Sequence, residues 1–171
     1  MALIIQKYGG TSVADAVRVK EVAKRVLKYK NEGHDVIVVV SAPAGTTDSL
    51  IRRAYELSET PSKRELDMLL TSGEQISIAS LAIAIEALGK KAVSLNAFQV
   101  DFKTTDEHTK ATILNINTDI IREKLSEGNV VVFAGFQGIT ENNEITTLGR
   151  GGSDTTAVAL GAALKADEVE I

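Results

Sequence analysis

The sequence contains no cysteine and no tryptophan, and it has only two prolines and two histidines among 171 residues. Without cysteine the chain can form no disulfide scaffold, thiol nucleophile or cysteine metal site. The two histidines, His34 and His108, are isolated in the sequence and do not form a histidine metal cluster. We therefore predict no metal site built from protein side chains. Both histidines are expected at the surface, although the Thr, Asp and Glu neighbours of His108 leave a position near a ligand open.

Long apolar runs and an excess of positive charge are also absent. Lys and Arg number 19 against 23 Asp and Glu, and the resulting net charge of −4 argues against broad binding to nucleic acid or anionic membranes. No run approaches the roughly 20 apolar residues that a membrane helix needs. The N-terminal residues lack the apolar core and cleavage site of a signal peptide. We expect a cytoplasmic protein with no membrane or nucleic-acid partner.

What the sequence does contain is an alternation of apolar runs with segments of helical spacing. The runs predict strands at 2–8, 36–40, 91–95, 130–134 and 168–171, and a hairpin that joins 136–140 to 145–148. Helices are predicted at 13–30, at 50–57, from Ser62 onward, at 76–88, 117–126 and 156–164, while 96–112 is a mixed segment. Helix 76–88 is apolar nearly all round and is expected to be central and buried.

This order of elements predicts one α/β domain: a three-layer α/β/α sandwich with a mostly parallel central sheet. The composition, with 44% hydrophobic and 25% charged residues, is typical of a globular domain. The last predicted strand is followed by no loop or helix. Because ligand loops follow the carboxyl ends of strands in such sheets, we expect a domain truncated on its C-terminal side.

The first candidate site follows the first strand, in the run Lys7, Tyr8, Gly9, Gly10, Thr11 and Ser12. Glycines let backbone N–H groups approach phosphate oxygens, a helix N-terminus adds positive potential, and the lysine adds a full charge. The run therefore fits a phosphate-binding loop. It equally fits a tight turn in which Ser12 caps the following helix, and both interpretations stay open.

A second glycine-rich loop precedes the last helix, in the run Gly149, Arg150, Gly151, Gly152, Ser153 and Asp154. Arginine suits bidentate binding of a carboxylate or a phosphate, and an ordinary loop seldom needs three glycines. A binding site is therefore the favoured interpretation. Neither loop matches G-x-x-x-x-G-K-[ST] or G-x-G-x-x-G, which disfavours a P-loop nucleotidase and a dinucleotide-dependent dehydrogenase.

Two further segments carry candidate polar groups. The loop that begins at Ser41 and contains Thr47 could bind substrate oxygens through its hydroxyls, or Thr47 or Asp48 could simply cap a helix. Gly73 and Glu74 are expected inside an apolar helix, where a glycine is costly and a carboxylate needs a partner. That partner could be a cationic ligand group such as an amine, or a nearby Lys or Arg.

In order and spacing, these four motifs resemble the aspartokinase branch of the amino acid kinase family, and the resemblance covers the whole chain. It implies a carbamate kinase-like fold and the transfer of a phosphoryl group from MgATP to the β-carboxylate of L-aspartate. The product would be 4-phospho-L-aspartate, the first step toward lysine, threonine and methionine. Mg²⁺ would be bound through the phosphates of ATP. The remaining alternatives are a kinase for glutamate or a similar acid, and a non-catalytic aspartate-binding fragment.

The resemblance also implies residue roles. Lys7 would contact the transferred phosphoryl group, and Asp154 would organise this lysine. Residues implied in ATP binding are Lys7, Tyr8, Gly9, Gly10 and Ser12. Residues implied in aspartate binding are Ser41, Thr47, Glu74, Arg150, Gly151, Gly152 and Ser153. Among these, Glu74 would bind the amino group and Arg150 a carboxylate.

Family members continue past the last strand into parts that hold adenine and ribose, and most then carry regulatory ACT domains. The resemblance therefore implies that residues 1–171 are the N-terminal, aspartate- and phosphate-binding part of a catalytic domain. We expect this chain alone to fold its core, to associate with itself and to be inactive. The whole enzyme is expected to be a homo-oligomer that binds L-aspartate and ATP.

Overall fold

The computed structural model describes all residues from 1 to 171. The nine strands are β1 (Leu3–Tyr8), β2 (Asp35–Val40), β3 (Ala92–Leu95), β4 (Phe102–Thr104), β5 (Ile113–Ile116), β6 (Val130–Ala134), β7 (Gln137–Ile139), β8 (Ile145–Thr147) and β9 (Glu168–Glu170). The six helices are α1 (Ala16–Asn31), α2 (Thr46–Leu57), α3 (Lys63–Leu70), α4 (Ser72–Ala87), α5 (Asp119–Ser126) and α6 (Gly152–Leu164).

The main sheet has five strands in the order β3-β6-β2-β1-β9, and all four strand pairs are parallel. In its centre Val38 pairs with Gln6 on one side and with Val132 on the other. Strands β2 and β6 are buried over nearly their whole length because helices cover both faces of the sheet. The parallel sheet predicted from the apolar runs is confirmed.

Helices lie on both sides of this sheet and complete the three predicted layers. On one side α1 and α4 pack on the sheet through residues such as Val26 and Leu81. On the other side α5 and α6 do so through residues such as Ile121 and Leu160. The three-layer α/β/α architecture is therefore confirmed.

A second, smaller sheet was only partly foreseen. Its order is β5-β4-β7-β8, and the predicted hairpin is confirmed as the antiparallel pair β7 and β8. Strand β4 lies within the mixed segment 96–112, and strand β5 follows directly after it. Each has only three or four residues, too few for an alternating pattern to stand out.

The prediction that helix 76–88 is central and buried holds for only one of its faces. Helix α4 buries Ile78, Leu81 and Ile85, but Ile76 is 54% and Ile83 65% exposed. By length and composition alone, the helical stretch Lys63–Ala87 could cross a membrane, contrary to the expectation from the sequence. However, 56% of its most apolar window is buried inside the fold, as in the core helix of a globular domain.

Candidate active site

A cavity of about 650 Å³ opens at the carboxyl ends of β1 and β2, the edge at which open α/β sheets bind ligands. All four sequence motifs contribute to its wall. The predicted residues that line it are Lys7, Gly10, Ser41, Thr47, Glu74, Arg150, Gly151, Gly152, Ser153 and Asp154. Residues that are 147 positions apart in the chain, Lys7 and Asp154, thus share one site.

At one end of the cavity Lys7 forms an ion pair with Asp154. The Lys7 Nζ atom lies 2.8 Å from Asp154 Oδ1, and the two side chains are 18% and 49% exposed. Lys7 is the penultimate residue of β1, and Asp154 lies in the first turn of α6. The carboxylate therefore holds the ammonium group beside the N-terminus of α6, a place of positive potential that suits an anionic group.

The loops after β1 and β2 approach each other closely. A Cβ atom on Gly10 would lie only 2.7 Å from the carbonyl oxygen of Ala42, so this position excludes every larger residue. Ser41 Oγ donates to Ser153 Oγ over 2.9 Å, which joins the β2 loop to the start of α6. A Cβ atom on Gly135 would lie within 3 Å of Ser153. Packing at these glycines brings the separate motifs together.

Glu74 forms the buried end of the cavity, where its side chain is 2% exposed. Its Oε1 accepts from the backbone N–H of Ala42 over 3.3 Å, and its Oε2 from Gln137 Nε2 over 3.5 Å. Burial raises the pKa of Glu74 to about 7, although these hydrogen bonds favour the charged form. Glu74 takes part in none of the salt bridges of the structure, so the alternative that a Lys or Arg of the protein is its partner is wrong.

Gly73 lies in a helix, as predicted, but not in the middle of α4. Helix α4 begins at Ser72, so Gly73 is in its first turn. A Cβ atom at Gly73 would lie 2.8 Å from the Cβ of Ala42. The glycine therefore permits the close approach that lets the Ala42 N–H reach Glu74.

Arg150 stands in a turn between two glycines with left-handed backbone. The φ angles are 83° at Gly149 and 73° at Gly151, values that side chains with a Cβ rarely adopt. The third glycine, Gly152, lies where a Cβ atom would be 2.8 Å from the ring of Phe136. The Arg150 guanidinium makes no hydrogen bond or ion pair with the protein, and it is exposed at the cavity wall. It is thus free to bind an anionic group.

Three predicted residues do not line the cavity: Tyr8, Gly9 and Ser12. The Tyr8 ring packs against the core between α1, α4 and the sheet. Ser12 lies in a short 3-10 turn, Gly10–Val13, and it does not cap a helix as one interpretation proposed. Asp15 caps α1 instead, by accepting from the Arg18 N–H over 2.9 Å. The turn displaces the start of α1 from the predicted residue 13 to residue 16.

The capping alternative for the β2 loop fails as well. Helix α2 begins at Thr46, four residues before the prediction, and its N-cap is Gly45 with φ 81° and no side-chain hydrogen bond. Neither Thr47 nor Asp48 is the cap, and both side chains line the cavity. These hydroxyl and carboxylate groups are therefore available to a ligand.

Sequence reasoning missed Gln137 and a cluster around Asp67. Asp67 is fully buried on α3 and lies 2.8 Å from the Nδ1 atom of His108, whose side chain is only 18% exposed. The expected surface position of His108 is therefore wrong. His34 is also half-buried, and its Nδ1 accepts from the backbone N–H of Ala2. In the sequence, the only indication of this cluster is that Asp67 lies beside the apolar positions Leu66 and Leu70 of a predicted helix.

Comparison with known proteins agrees with this fold. The chain matches the model of the amino acid kinase family over residues 2–171. It is 56% identical over 171 residues to the aspartokinase of Geobacillus stearothermophilus, and 50% identical to aspartokinase 2 of Bacillus subtilis strain 168. Each alignment covers 100% of this chain and 42% of the relative. The chain thus spans about two-fifths of the length of the curated relatives it matches.

Solved structures with this fold carry similar names. Aspartate kinase from Synechocystis superposes with a TM-score of 0.84 at 48% identity, over 98% of this chain and 27% of that one. Aspartokinase III of E. coli, in complex with aspartate and ADP, gives a TM-score of 0.83 at 26% identity, over 98% and 48%. With the family match over nearly every residue, the fold and the motifs lead to one conclusion: the chain belongs to the amino acid kinase family.

Proposed function

We propose that the polypeptide carrying this sequence is an aspartate kinase, which transfers a phosphoryl group from MgATP to the β-carboxylate of L-aspartate. The product, 4-phospho-L-aspartate, leads to lysine, threonine and methionine. One observation carries the proposal: a single cavity holds the Lys7–Asp154 ion pair, the unpaired Arg150 and the buried Glu74. The names of the relatives, and the aspartate and ADP in the E. coli complex, support it.

The charges of the cavity match those of aspartate. In our proposal Glu74 binds the amino group, because an ammonium ion beside this buried carboxylate would favour its ionised form. Arg150 binds the α-carboxylate in bidentate geometry. The hydroxyls of Ser41, Thr47 and Ser153 complete the polar wall around the substrate.

The reaction needs no general base, because the attacking β-carboxylate of aspartate is already ionised at pH 7. Phosphoryl transfer depends mainly on positioning and on neutralising charge. Lys7, held by Asp154, supplies positive charge to the phosphoryl group, and the backbone at Gly10 approaches the phosphates. Mg²⁺ would arrive with the nucleotide phosphates.

The proposal extends to the organisation of the protein. We assign residues 1–171 to the aspartate- and phosphate-binding part of the catalytic domain, and the adenine and ribose contacts and ACT domains to other parts of the polypeptide. The length of the relatives supports this assignment. We also propose a cytoplasmic homo-oligomer that binds neither nucleic acid nor membranes, in keeping with the net charge of −4.

A coupled assay of ADP formation tests the activity. The native polypeptide that carries this sequence should turn over with aspartate and MgATP, and at least about a hundredfold more slowly with glutamate. Equal rates with both acids would contradict the proposal and indicate a kinase of broader specificity. Aspartate binding without turnover would support the non-catalytic alternative. The 171-residue chain, assayed beside it, is predicted to be inactive, and turnover by this chain would refute that prediction.

Lys7→Ala tests the phosphate end of the cavity. The variant should lower kcat by about a hundredfold or more, because it removes a charge that acts on the transition state. The KM for aspartate should change far less, since Glu74 and Arg150 remain. Lys20→Ala, which removes the same charge from the exposed surface of α1, is the matched control. Near-normal kcat in Lys7→Ala would show that Lys7 has only a structural role.

A further inference from the structure

Asp67 is a buried carboxylate that does not line the cavity, yet two of its three partners, Thr109 and Thr147, do. It is 0% exposed on α3, and its Oδ1 accepts from Thr147 Oγ1 over 2.6 Å. The backbone N–H of Thr109 donates to both carboxylate oxygens, over 3.1 and 3.0 Å. With His108 Nδ1 2.8 Å from Oδ2, three groups from two other segments converge on Asp67. A buried carboxylate costs stability unless it is paired in this way.

Thr109, the residue that Asp67 holds through both oxygens, has a strained backbone. Its φ angle is 72°, in the left-handed region, where a β-branched residue is a genuine outlier. Such strain persists only where the surroundings enforce it, and it clusters at functional sites. The Thr109 N–H donates a bifurcated hydrogen bond to the two carboxylate oxygens of Asp67. Asp67 therefore enforces the local conformation of the loop.

The loop around Thr109 packs against the arginine turn. The Thr109 carbonyl oxygen lies 3.3 Å from the position a Cβ atom would take on Gly149. The Ala111 N–H donates to the carbonyl of Thr147, so strand β8 is tied to the same loop. Thr109 and Thr147 both line the cavity next to Arg150. Since the Arg150 side chain has no protein partner of its own, its place depends on the backbone that supports its turn.

We propose that Asp67 is a positioning residue for the substrate carboxylate. Through Thr109 and Thr147 it fixes the wall against which the Gly149–Gly151 turn presents Arg150. The inference rests on the proposed function and deepens it, because it identifies the buried carboxylate that fixes the position of Arg150. Asp67 touches no substrate in this account and acts only through Arg150.

A double-mutant cycle in the native polypeptide tests this route. Asp67→Asn keeps the shape and one acceptor for the Thr109 N–H, and it should raise the KM for aspartate about tenfold, with a smaller change in kcat. In an Arg150→Ala background the same change should add less than about twofold, because residues that act through one another are not additive. An unchanged KM, or equal effects in both backgrounds, would overturn the proposal.

Two further variants separate positioning from stability. Arg64→Ala breaks a 2.8 Å ion pair between the same helix and Glu144 of the hairpin, outside the cavity, and should leave the KM within about twofold. Thr147→Val removes one donor to Asp67 and keeps the side-chain shape. It should raise the KM for aspartate, but less than Asp67→Asn does. An equal rise in Arg64→Ala would show a general loosening of the hairpin and overturn the positioning role.

A measurement without substrate keeps the inference separate from the proposed function. Amide hydrogen exchange should accelerate more in residues 105–111 and 147–151 of Asp67→Asn than in β2 and β6. Unchanged exchange in these two segments would refute the inference whatever the kinetics show. Conversely, if the unmodified protein neither binds nor phosphorylates aspartate, the proposed function fails, and the exchange comparison still decides whether Asp67 fixes this wall.

Discussion

Two buried carboxylates seven residues apart, Asp67 on α3 and Glu74 on α4, have opposite surroundings. Asp67 is 0% exposed and has three donor groups within 3.1 Å. Glu74 is 2% exposed, but its two contacts are 3.3 and 3.5 Å long. Burial alone therefore does not tell a structural carboxylate from one that is available to a ligand. The number and the length of the donor contacts do.

The origin of each environment explains the difference. The donors to Asp67 come from two segments that close over it, and they leave its carboxylate out of the cavity wall. Glu74 faces the cavity, and the Gln137 amide near it donates at a shorter distance, 2.9 Å, to the carbonyl of Thr71. An incompletely bonded carboxylate in an apolar setting gains most from a cation. We therefore propose that Glu74, and not Asp67, binds such a group.

The largest expected effect is on stability and belongs to Asp67. Asp67→Ala leaves several buried donors without an acceptor and should lower the free energy of global opening by about 3–5 kcal/mol. Glu74→Gln should change it by less than about 1 kcal/mol at low pH, where Glu74 is protonated, and should raise it at pH 8, because the amide keeps the shape and loses a charge that burial disfavours. Exchange of the most protected amides in β2 and β6 measures both values. Equal losses would remove the distinction between the two carboxylates.

The next effect is a pH dependence that belongs to Glu74. Burial raises its pKa from 4.5 to about 7, so between these values the folded protein holds a proton that the unfolded chain has lost. The contribution to stability is full below pH 4.5 and is lost as the pH rises through 7, by about 3 kcal/mol in total. Opening free energies from pH 4.5 to 8 should therefore converge with those of Glu74→Gln at low pH. Parallel curves would contradict the raised pKa.

Glu74 should contribute strongly to ligand affinity, although it contributes little to stability. Glu74→Gln and Arg150→Ala should each weaken aspartate binding at least about tenfold, since each removes one partner of a desolvated charge pair. Glu86→Gln, on the exposed face of the same helix, is the control and should bind as the unmodified protein does. Calorimetric titration measures the three affinities. Unchanged affinity in both site variants would refute the assignment.

The smallest effect is expected for the exposed ion pair between Arg64 and Glu144. Both side chains are 43% exposed, and solvent screens such pairs strongly. Arg64→Ala should leave the exchange rates of β2 and β6 within error of the unmodified protein. A loss of opening free energy close to that of Asp67→Ala would mean that exposed contacts between α3 and the hairpin stabilise the fold as much as the buried Asp67 contacts do.

Local patterns were sufficient to predict the main sheet and several residues that line the cavity. Strand β2 is a run of apolar β-branched residues, which predicts a strand buried on both faces wherever it lies in the chain. The glycines around Arg150 and beside Lys7 stand out because close approach and left-handed backbone restrict these positions to glycine. The ion pair between Lys7 and Asp154 followed from the family resemblance and is present.

What sequence reasoning missed depends on contacts between distant residues. His108 looked like a surface residue because its partner, Asp67, lies 41 positions away, and Thr147 lies 80 positions from the same carboxylate. The apolar face of α4 was expected to be covered, but hydrophobic composition does not tell how many neighbours a helix has. Strands β4 and β5 were too short for their pattern to be recognised.

Proton release on aspartate binding tests the central claim, that Glu74 receives the amino group, most directly. Titration calorimetry at pH 6 in two buffers of different ionisation enthalpy counts the protons exchanged. Because the pKa of Glu74 is about 7, aspartate should displace about one proton at pH 6 and almost none at pH 8. Succinate, which lacks the amino group, should displace none. Aspartate binding at pH 6 without proton release, or with equal release in Glu74→Gln, would contradict the account.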